Sequence, residues 1–287
     1  MTVAEAGFEA HRQLSPEQLD EVAGLERRVV AADGGRLKLE WGSLRARSET
    51  AGVNDLLARH EGEMVGFAGL YQFGGGEIEI AGMVDPAYRG RGVGARLLDA
   101  ALAEASARGR SEVLLVVPSG SPGGRALAAR RAARLDHREH RLVLTGDPAG
   151  GPSDPRVSLR RAGGADAETV LGLLEGGFGF RPPGMAEQLD SDARTLLVLL
   201  DGEPVGTLRL TLEDGVGGVY GFVVRPDLQG RGIGRDVLRR ACRWLRAQGA
   251  REVGLEVAVD NERALGLYLS TGFAAVAGEE YWRVEVA

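Results

Sequence analysis

Apolar residues recur at helical spacing at matching places in two halves of the chain. Leu97, Leu98, Ala101, Leu102 and Ala105 share one helix face, and Val237, Leu238, Ala241, Cys242 and Leu245 share another, each 140 positions later. An apolar run ending at Val84 or Val224 precedes each helix, and a second run follows, Glu112 to Val117 and Glu252 to Val259. These runs predict strands. Further upstream, Glu61-Gly62 and Asp201-Gly202 each sit between two apolar runs and predict tight hairpin turns. Ser15-Pro16-Glu17-Gln18 carries a serine cap, an early proline and a glutamine three residues on, which predicts a helix start. A comparable start lies near Asp166, after a short strand at Val157 to Arg160. One offset over so many elements predicts a duplicated α/β unit. Residues 146–155 are turn formers without apolar periodicity and read as a linker. The expected division is a first domain over 1–146, a linker over 147–155 and a second domain over 156–287.

Between the strand and the helix of each half lies a glycine motif. The first copy runs Arg89-Gly90-Arg91-Gly92-Val93-Gly94, and the second Gln229-Gly230-Arg231-Gly232-Ile233-Gly234. A strand that turns into a helix leaves the first backbone N–H groups of that helix unpaired, and the helix dipole adds partial positive charge. Glycines let an anion approach, so the turn is a candidate cradle for a pyrophosphate. Arg91 and Arg231 are placed to add charge-assisted bonds. The spacing excludes the Gly-x-Gly-x-x-Gly dinucleotide fingerprint, and a Walker loop is excluded because the only lysine, Lys38, is elsewhere.

Composition narrows the picture further. The 287 residues are 44% hydrophobic and 26% charged, as in a globular protein. A formal charge of −6 argues against nucleic acid as a partner. Arginine replaces lysine almost throughout, the usage of a high-GC, bacterial genome. A single cysteine, Cys242, makes no intrachain disulfide and is expected as a small buried residue. The longest apolar runs, such as Leu196 to Leu200, are too short to span a bilayer, and no signal segment is evident. The expected location is the cytoplasm, with no membrane partner, no bound metal and a monomeric or homodimeric state.

Both glycine motifs resemble motif A of the GNAT acyl-CoA N-acyltransferase superfamily, Arg/Gln-x-x-Gly-x-Gly/Ala after a strand ending Val-x-Pro. In the C-terminal half Asn261, Ala264, Leu267-Tyr268 and Gly272-Phe273 resemble the family's motif B. The resemblance covers most of residues 156–287 and residues 8–145 less completely. It implies two tandem GNAT-like α/β (α+β) domains, each a twisted mixed sheet splayed to admit acetyl-CoA as acyl donor. It implies that backbone groups of Phe222, Val223 and Val224 line the pantetheine and polarise the thioester carbonyl. Gln229, Gly230, Arg231, Gly232, Ile233, Gly234 and Arg235 would hold the pyrophosphate, Asn261 would touch the pantetheine arm, and Tyr268 would protonate the departing thiolate. The corresponding cofactor residues of the first half are Met83, Val84, Arg89, Gly90, Arg91, Gly92, Val93 and Gly94. These types suit the chemistry: attack of an amine builds charge on the carbonyl oxygen, which a fixed N–H stabilises, and the thiolate needs a proton.

The halves part company after the second strand. Aligning Arg263-Ala264-Leu265 with Arg125-Ala126-Leu127, at an offset of 138, places Arg130 at Tyr268, Arg134 at Gly272 and Leu135 at Phe273. The expected acid is missing from the first half, which reads as degenerate. The general base is open between Glu256 and Tyr220. Glu187, Asp190 and Asp192, after the loop at Phe178 to Pro183, are positioned to attract a cationic amine or simply form a solvated face. Gly218 stands where a tandem family member would be expected to carry an acidic substrate-binding residue. The function expected is acetyl transfer to a primary amine of a small molecule, catalysed by the C-terminal half. The alternatives are a protein lysine or N-terminal acetyltransferase and a non-catalytic acyl-CoA sensor.

Overall fold

The computed structural model describes residues 7–50, 52–73, 76–191 and 194–286. The chain forms two compact units, residues 1–138 with 277–287, and residues 139–276. They differ from the division expected at 147–155. Unit 1 holds β1 (Gly7–His11), α1 (Pro16–Asp33), α2 (Trp41–Ala46), β2 (Asp55–His60), β3 (Glu63–Gln72), β4 (Ile78–Val84), α3 (Val93–Ala107), β5 (Glu112–Pro118) and α4 (Pro122–Arg130). β6 (Arg134–Leu144) crosses the boundary between the units. Unit 2 continues with β7 (Val157–Arg161), α5 (Ala167–Phe178), α6 (Met185–Ser191), β8 (Thr195–Leu200), β9 (Glu203–Glu213), β10 (Val216–Val224), α7 (Ile233–Ala247), β11 (Glu252–Ala258) and α8 (Glu262–Thr271). β12 (Phe273–Glu285) begins in unit 2 and ends in unit 1.

The boundary follows from strand pairing. Glu279–Glu285 of β12 lies antiparallel to β5, so unit 1 runs β1-β2-β3-β4-β5-β12. Residues 139–143 of β6 lie antiparallel to β11, so unit 2 runs β7-β8-β9-β10-β11-β6. Each sheet is thus finished by a strand from the opposite half of the sequence. An edge left at β5 or β11 would expose a row of unpaired backbone groups.

The local signals are realised. Ser15 caps α1 in a full capping box with Gln18. Glu61 and Gly62 have φ of 51° and 87°, and Asp201 and Gly202 have 51° and 88°. Two consecutive left-handed residues make a turn whose twist matches the strands it joins. Residues 147–155, expected as a linker, are strapped to α7. Arg239 donates to the carbonyls of Gly150 and Pro152, and Arg240 to those of Asp154 and Val157. The buried Asp236 accepts from Arg240 at 2.7 Å and from the backbone of Asp154 at 3.2 Å. Turn-forming composition marked the missing periodicity but not this anchoring, which comes from polar residues on the helix.

Candidate active site

The two units present the same frame at the glycine motif. In unit 2, β10 pairs in parallel with β11 only from Val216 to Gly218. In unit 1, β4 pairs with β5 at Glu79 and Ile80. Beyond those points the two central strands of each unit separate, leaving a cleft between them. The glycine turn closes the end of β4 or β10. Gly90 and Gly92 have φ of 71° and 86°, and Gly230 and Gly232 have 79° and 85°. A Cβ at any of these four meets nothing within 4 Å, so glycine is required there for its left-handed backbone. Val93 and Ile233, the first residues of α3 and α7, are buried and anchor the helix starts.

Three expected anion-binding side chains are engaged elsewhere. Gln229 donates to the Val224 carbonyl at 2.8 Å and accepts from Arg263 at 2.8 Å. Arg89 donates to the Val84 carbonyl at 3.1 Å and forms two 2.7 Å bonds with Asp33. Both therefore tie the turn to the end of its strand. Arg235 reaches the Ser270 hydroxyl at 3.3 Å. Arg231 is exposed and touches the Asp227 carbonyl, and Arg91 lies over the Tyr88 ring. The cradle proper is left to the backbone N–H groups of the turn and of the helix start.

One difference between the units has direct chemical weight. The ladder between β9 and β10 shifts register between Tyr220 and Val223, with Gly221 at φ 53°. Gly221 and Phe222 stand outside that ladder, and pairing with β11 has already ended. An extra residue also reverses the alternation of faces. Val219 and Val224 both pack in the core that includes α7, while Val223 packs with α5 and α6. In unit 1 the β3–β4 ladder is unbroken from Gly66↔Val84 to Gln72↔Ile78. Met83 and Val84 lie in a regular strand, so the bulge belongs to unit 2 alone.

α8 brings in the remaining groups. Asn261 caps it, its Oδ1 accepting from Ala264 N at 3.1 Å. Tyr268 is buried among the unit 2 core and packs at 6.1 Å from Phe273. Its hydroxyl has no hydrogen-bond partner among the described residues. Burial pushes its pKa up to about 12.

The ends of α4 and α8 correct the expected alignment of the two halves. Ser121 and Asn261 are both side-chain caps, and Ala132 and Gly272 are both left-handed residues after the helix. Both pairs are 140 apart, so the offset never changes to 138. Tyr268 therefore corresponds to Ala128, Gly272 to Ala132 and Phe273 to Ala133. The Arg-Ala-Leu match that suggested 138 is a two-residue slip; helix termini fix register where a short identity does not. The first half retains motif B spacing with small residues in place of the aromatic ones.

The other residues considered are also located. Tyr220 is exposed beside the bulge, and its ring lies over Gly218, where a Cβ would sit 2.3 Å from it. Any side chain at 218 would require that ring and the Thr211 hydroxyl to move. Glu256 is half-buried on β11. Asp190 accepts from Gly164 N at 2.6 Å, Glu187 is exposed on α6, and Asp192 lies outside the described residues. Cys242 is fully buried and its thiol is pushed up to about 12.

A split parallel pair, a strand bulge, a helix-start cradle and a buried phenol are the parts that an acyl-CoA-dependent acyltransferase requires. The profile of the Acetyltransferase (GNAT) family matches residues 23–132 and 173–273. A mycothiol acetyltransferase from Actinosynnema mirum is 30% identical over 96% of this chain and 97% of its own. One from Streptomyces coelicolor is 31% identical over 97% and 95%. The fold resembles a GCN5-related N-acetyltransferase from Sphaerobacter thermophilus, with a TM-score of 0.80 at 21% identity over 97% and 96% of the two chains. It also resembles a tandem GNAT protein from the clavulanic acid biosynthesis pathway, with a TM-score of 0.73 at 21% identity over 99% of both. The chain belongs to the GNAT acetyltransferase family, with two GNAT repeats, and acetyl-CoA is the family's acyl donor. Among the described residues no helix is long and apolar enough to cross a membrane.

Proposed function

We propose that the protein transfers the acetyl group of acetyl-CoA to a primary amine of a small molecule, and that unit 2 performs the chemistry. The observation that carries this reading is the bulge at Gly221 and Phe222, present in β10 and absent from β4. Attack of the amine on the thioester moves charge onto the carbonyl oxygen. An amide N–H of the bulge, held by the strand outside its regular register, stabilises that charge without having to reorganise. Phe222, Val223 and Val224 line the pantetheine in this reading. The turn from Gly230 to Gly234 holds the pyrophosphate on backbone amides, and Gln229 braces it. Asn261 fixes the start of α8, and Tyr268 gives its proton to the departing thiolate. A phenol raised to about 12 is still protonated at neutral pH, so the proton is in place when the thiolate departs.

The faces away from α3 and α7 support the same division. In unit 1, Phe67, Tyr71, Ala81, Met83, Leu114, Val116 and Tyr281 make a buried apolar core under α1 and α2. The corresponding positions of unit 2 carry Thr207, Thr211, Tyr220, Val223, Gly254, Glu256 and Arg141, and of these only Val223 belongs to a buried apolar cluster, packed with α5 and α6. A filled core has no room for an acceptor, whereas a polar face suits one. Relatives named mycothiol acetyltransferases, matched along nearly their whole length, favour a small-molecule acceptor over a protein.

The test is thiol release from acetyl-CoA with a panel of amines, for wild type and Tyr268→Phe. The expected result is a kcat lower by about 10²–10⁴-fold with the KM for acetyl-CoA unchanged. An unchanged rate in Tyr268→Phe would remove the tyrosine from the mechanism.

A further inference from the structure

The bottom of the unit 2 cleft has two glycines side by side. Gly218 of β10 pairs with Gly254 of β11 at the last rung before the strands separate. Both lie on the face away from α7, because their neighbours Val219, Val253 and Leu255 belong to the α7 core. Each glycine vacates space for a polar side chain that lies flat across it. The Tyr220 ring covers Gly218, and the Arg141 guanidinium covers Gly254, where a Cβ would lie 2.2 Å from Nη2. Any side chain at 254 would drive Arg141 off the sheet.

Arg141 is nearly buried, 5% exposed, on the β6 strand that the first half of the sequence supplies. A guanidinium this buried calls for acceptors on most of its five donors. It has one: Nη2 donates to Glu252 at 3.1 Å. Among the described residues Nε and Nη1 donate to no protein atom, and neither is sealed from solvent. The donors left over lie on the face away from α7, over the last paired rung before the strands separate.

On the reading that unit 2 acetylates a small amine, we propose that Arg141 binds an oxygen atom of the acceptor, a carboxylate or a hydroxyl. It thereby restricts the substrate to amines that carry one. The planar fork suits oxygen acceptors, and Glu252 holds the fork in place while its own carboxylate, 45% exposed, stays solvated. Arg141 is a specificity residue with no part in the acyl transfer itself. Glu256, opposite it in the β6–β11 register, adds a carboxylate to the same face.

The test uses the full chain with acetyl-CoA and three probe amines: glucosamine, which carries hydroxyls, serine, which carries a carboxylate, and n-butylamine, which carries no oxygen. Wild type is expected to acetylate glucosamine or serine with a higher kcat/KM than n-butylamine. The better of the two names the oxygen that Arg141 reads. Arg141→Met is expected to raise the KM for that probe by about 10–100-fold, the loss of a charge-assisted hydrogen bond. The KM for acetyl-CoA and the rate with n-butylamine should stay as in wild type, and Arg141→Lys should recover part of the loss. n-Butylamine as the preferred probe, or a loss in Arg141→Met equal for all three, overturns the proposal. Such results leave acetyl transfer standing. Absence of transfer to any amine, with no effect of Tyr268→Phe, would instead overturn the underlying reading.

Discussion

At the scale of single residues, the proposed chemistry draws on a buried phenol, Tyr268, and on the strand bulge at Gly221 and Phe222. Tyr268 gains its high pKa from desolvation alone, since removing the charged phenolate from water is costly. The sign of its effect on rate follows. In the proposed mechanism the acid form is the active one, and it persists through neutral and mildly alkaline pH. With an acceptor amine that titrates at about pH 8, the pH profile of kcat is therefore expected to rise as the amine deprotonates and then stay flat to about pH 10. A falling limb with a midpoint near pH 8–9 that vanishes in Tyr268→Phe would contradict this. Tyr268 was legible in the sequence because its neighbours at fixed spacing define a motif. Arg141 was not. It lies on a strand, 113 residues before Gly254, in the half that looked degenerate, and only the strand pairing brings it to the cleft. Its signal was Gly254 itself, a glycine inside an apolar strand pattern, which marks a close approach by another group.

At the scale of elements, the repeated turn separates backbone strain from function. Gly92 and Gly232 have nearly the same conformation, φ 86° and 85°, and neither meets an obstacle to a Cβ. Alanine at either position should therefore cost a similar amount, about 1–2 kcal/mol, through the left-handed penalty. Gly232→Ala is expected to raise the KM for acetyl-CoA, while Gly92→Ala leaves the kinetics unchanged. Paired thermal melts and kinetics of the two variants check this, and a kinetic defect in Gly92→Ala of the same size would make unit 1 a second working site. Hairpins, helix starts and both glycine turns were readable because each is set by two to six adjacent residues. The bulge is implied by the family resemblance but not by the residues themselves, since β4 and β10 carry similar apolar runs and Gly221 is one glycine among several. Its existence depends on how β10 meets β9, a property of two strands together. The degenerate helix α4 was aligned two residues out for a related reason. Its register is fixed by Ser121 and Ala132 at its ends, and the interior identity carried no geometric information.

At the scale of the whole molecule, the exchanged strands decide which pieces of the chain can stand alone. Unit 2 is continuous, residues 139–276, whereas unit 1 needs residues 277–287 as well as 1–138. A fragment cut at the apparent linker, 156–287, lacks the strand that pairs with β11 and with it the buried Leu142 and Leu144. Losing those two side chains alone forfeits about 1.5–3 kcal/mol each. The fragment 139–276 is expected to fold with a cooperative melt and to leave Cys242 unreactive toward a thiol reagent, while 156–287 labels readily at Cys242. Equal protection in both would show that the exchanged strand is dispensable. The exchange also orders events in time. During synthesis β5 emerges early, yet its partner segment of β12 is made only after every residue of unit 2 has been translated. Unit 2 gains its last strand first in sequence and can close as soon as α8 is complete. The half translated first is thus the half finished last, and through that interval the open edge of β5 must be shielded by the ribosome or a chaperone from pairing with another chain.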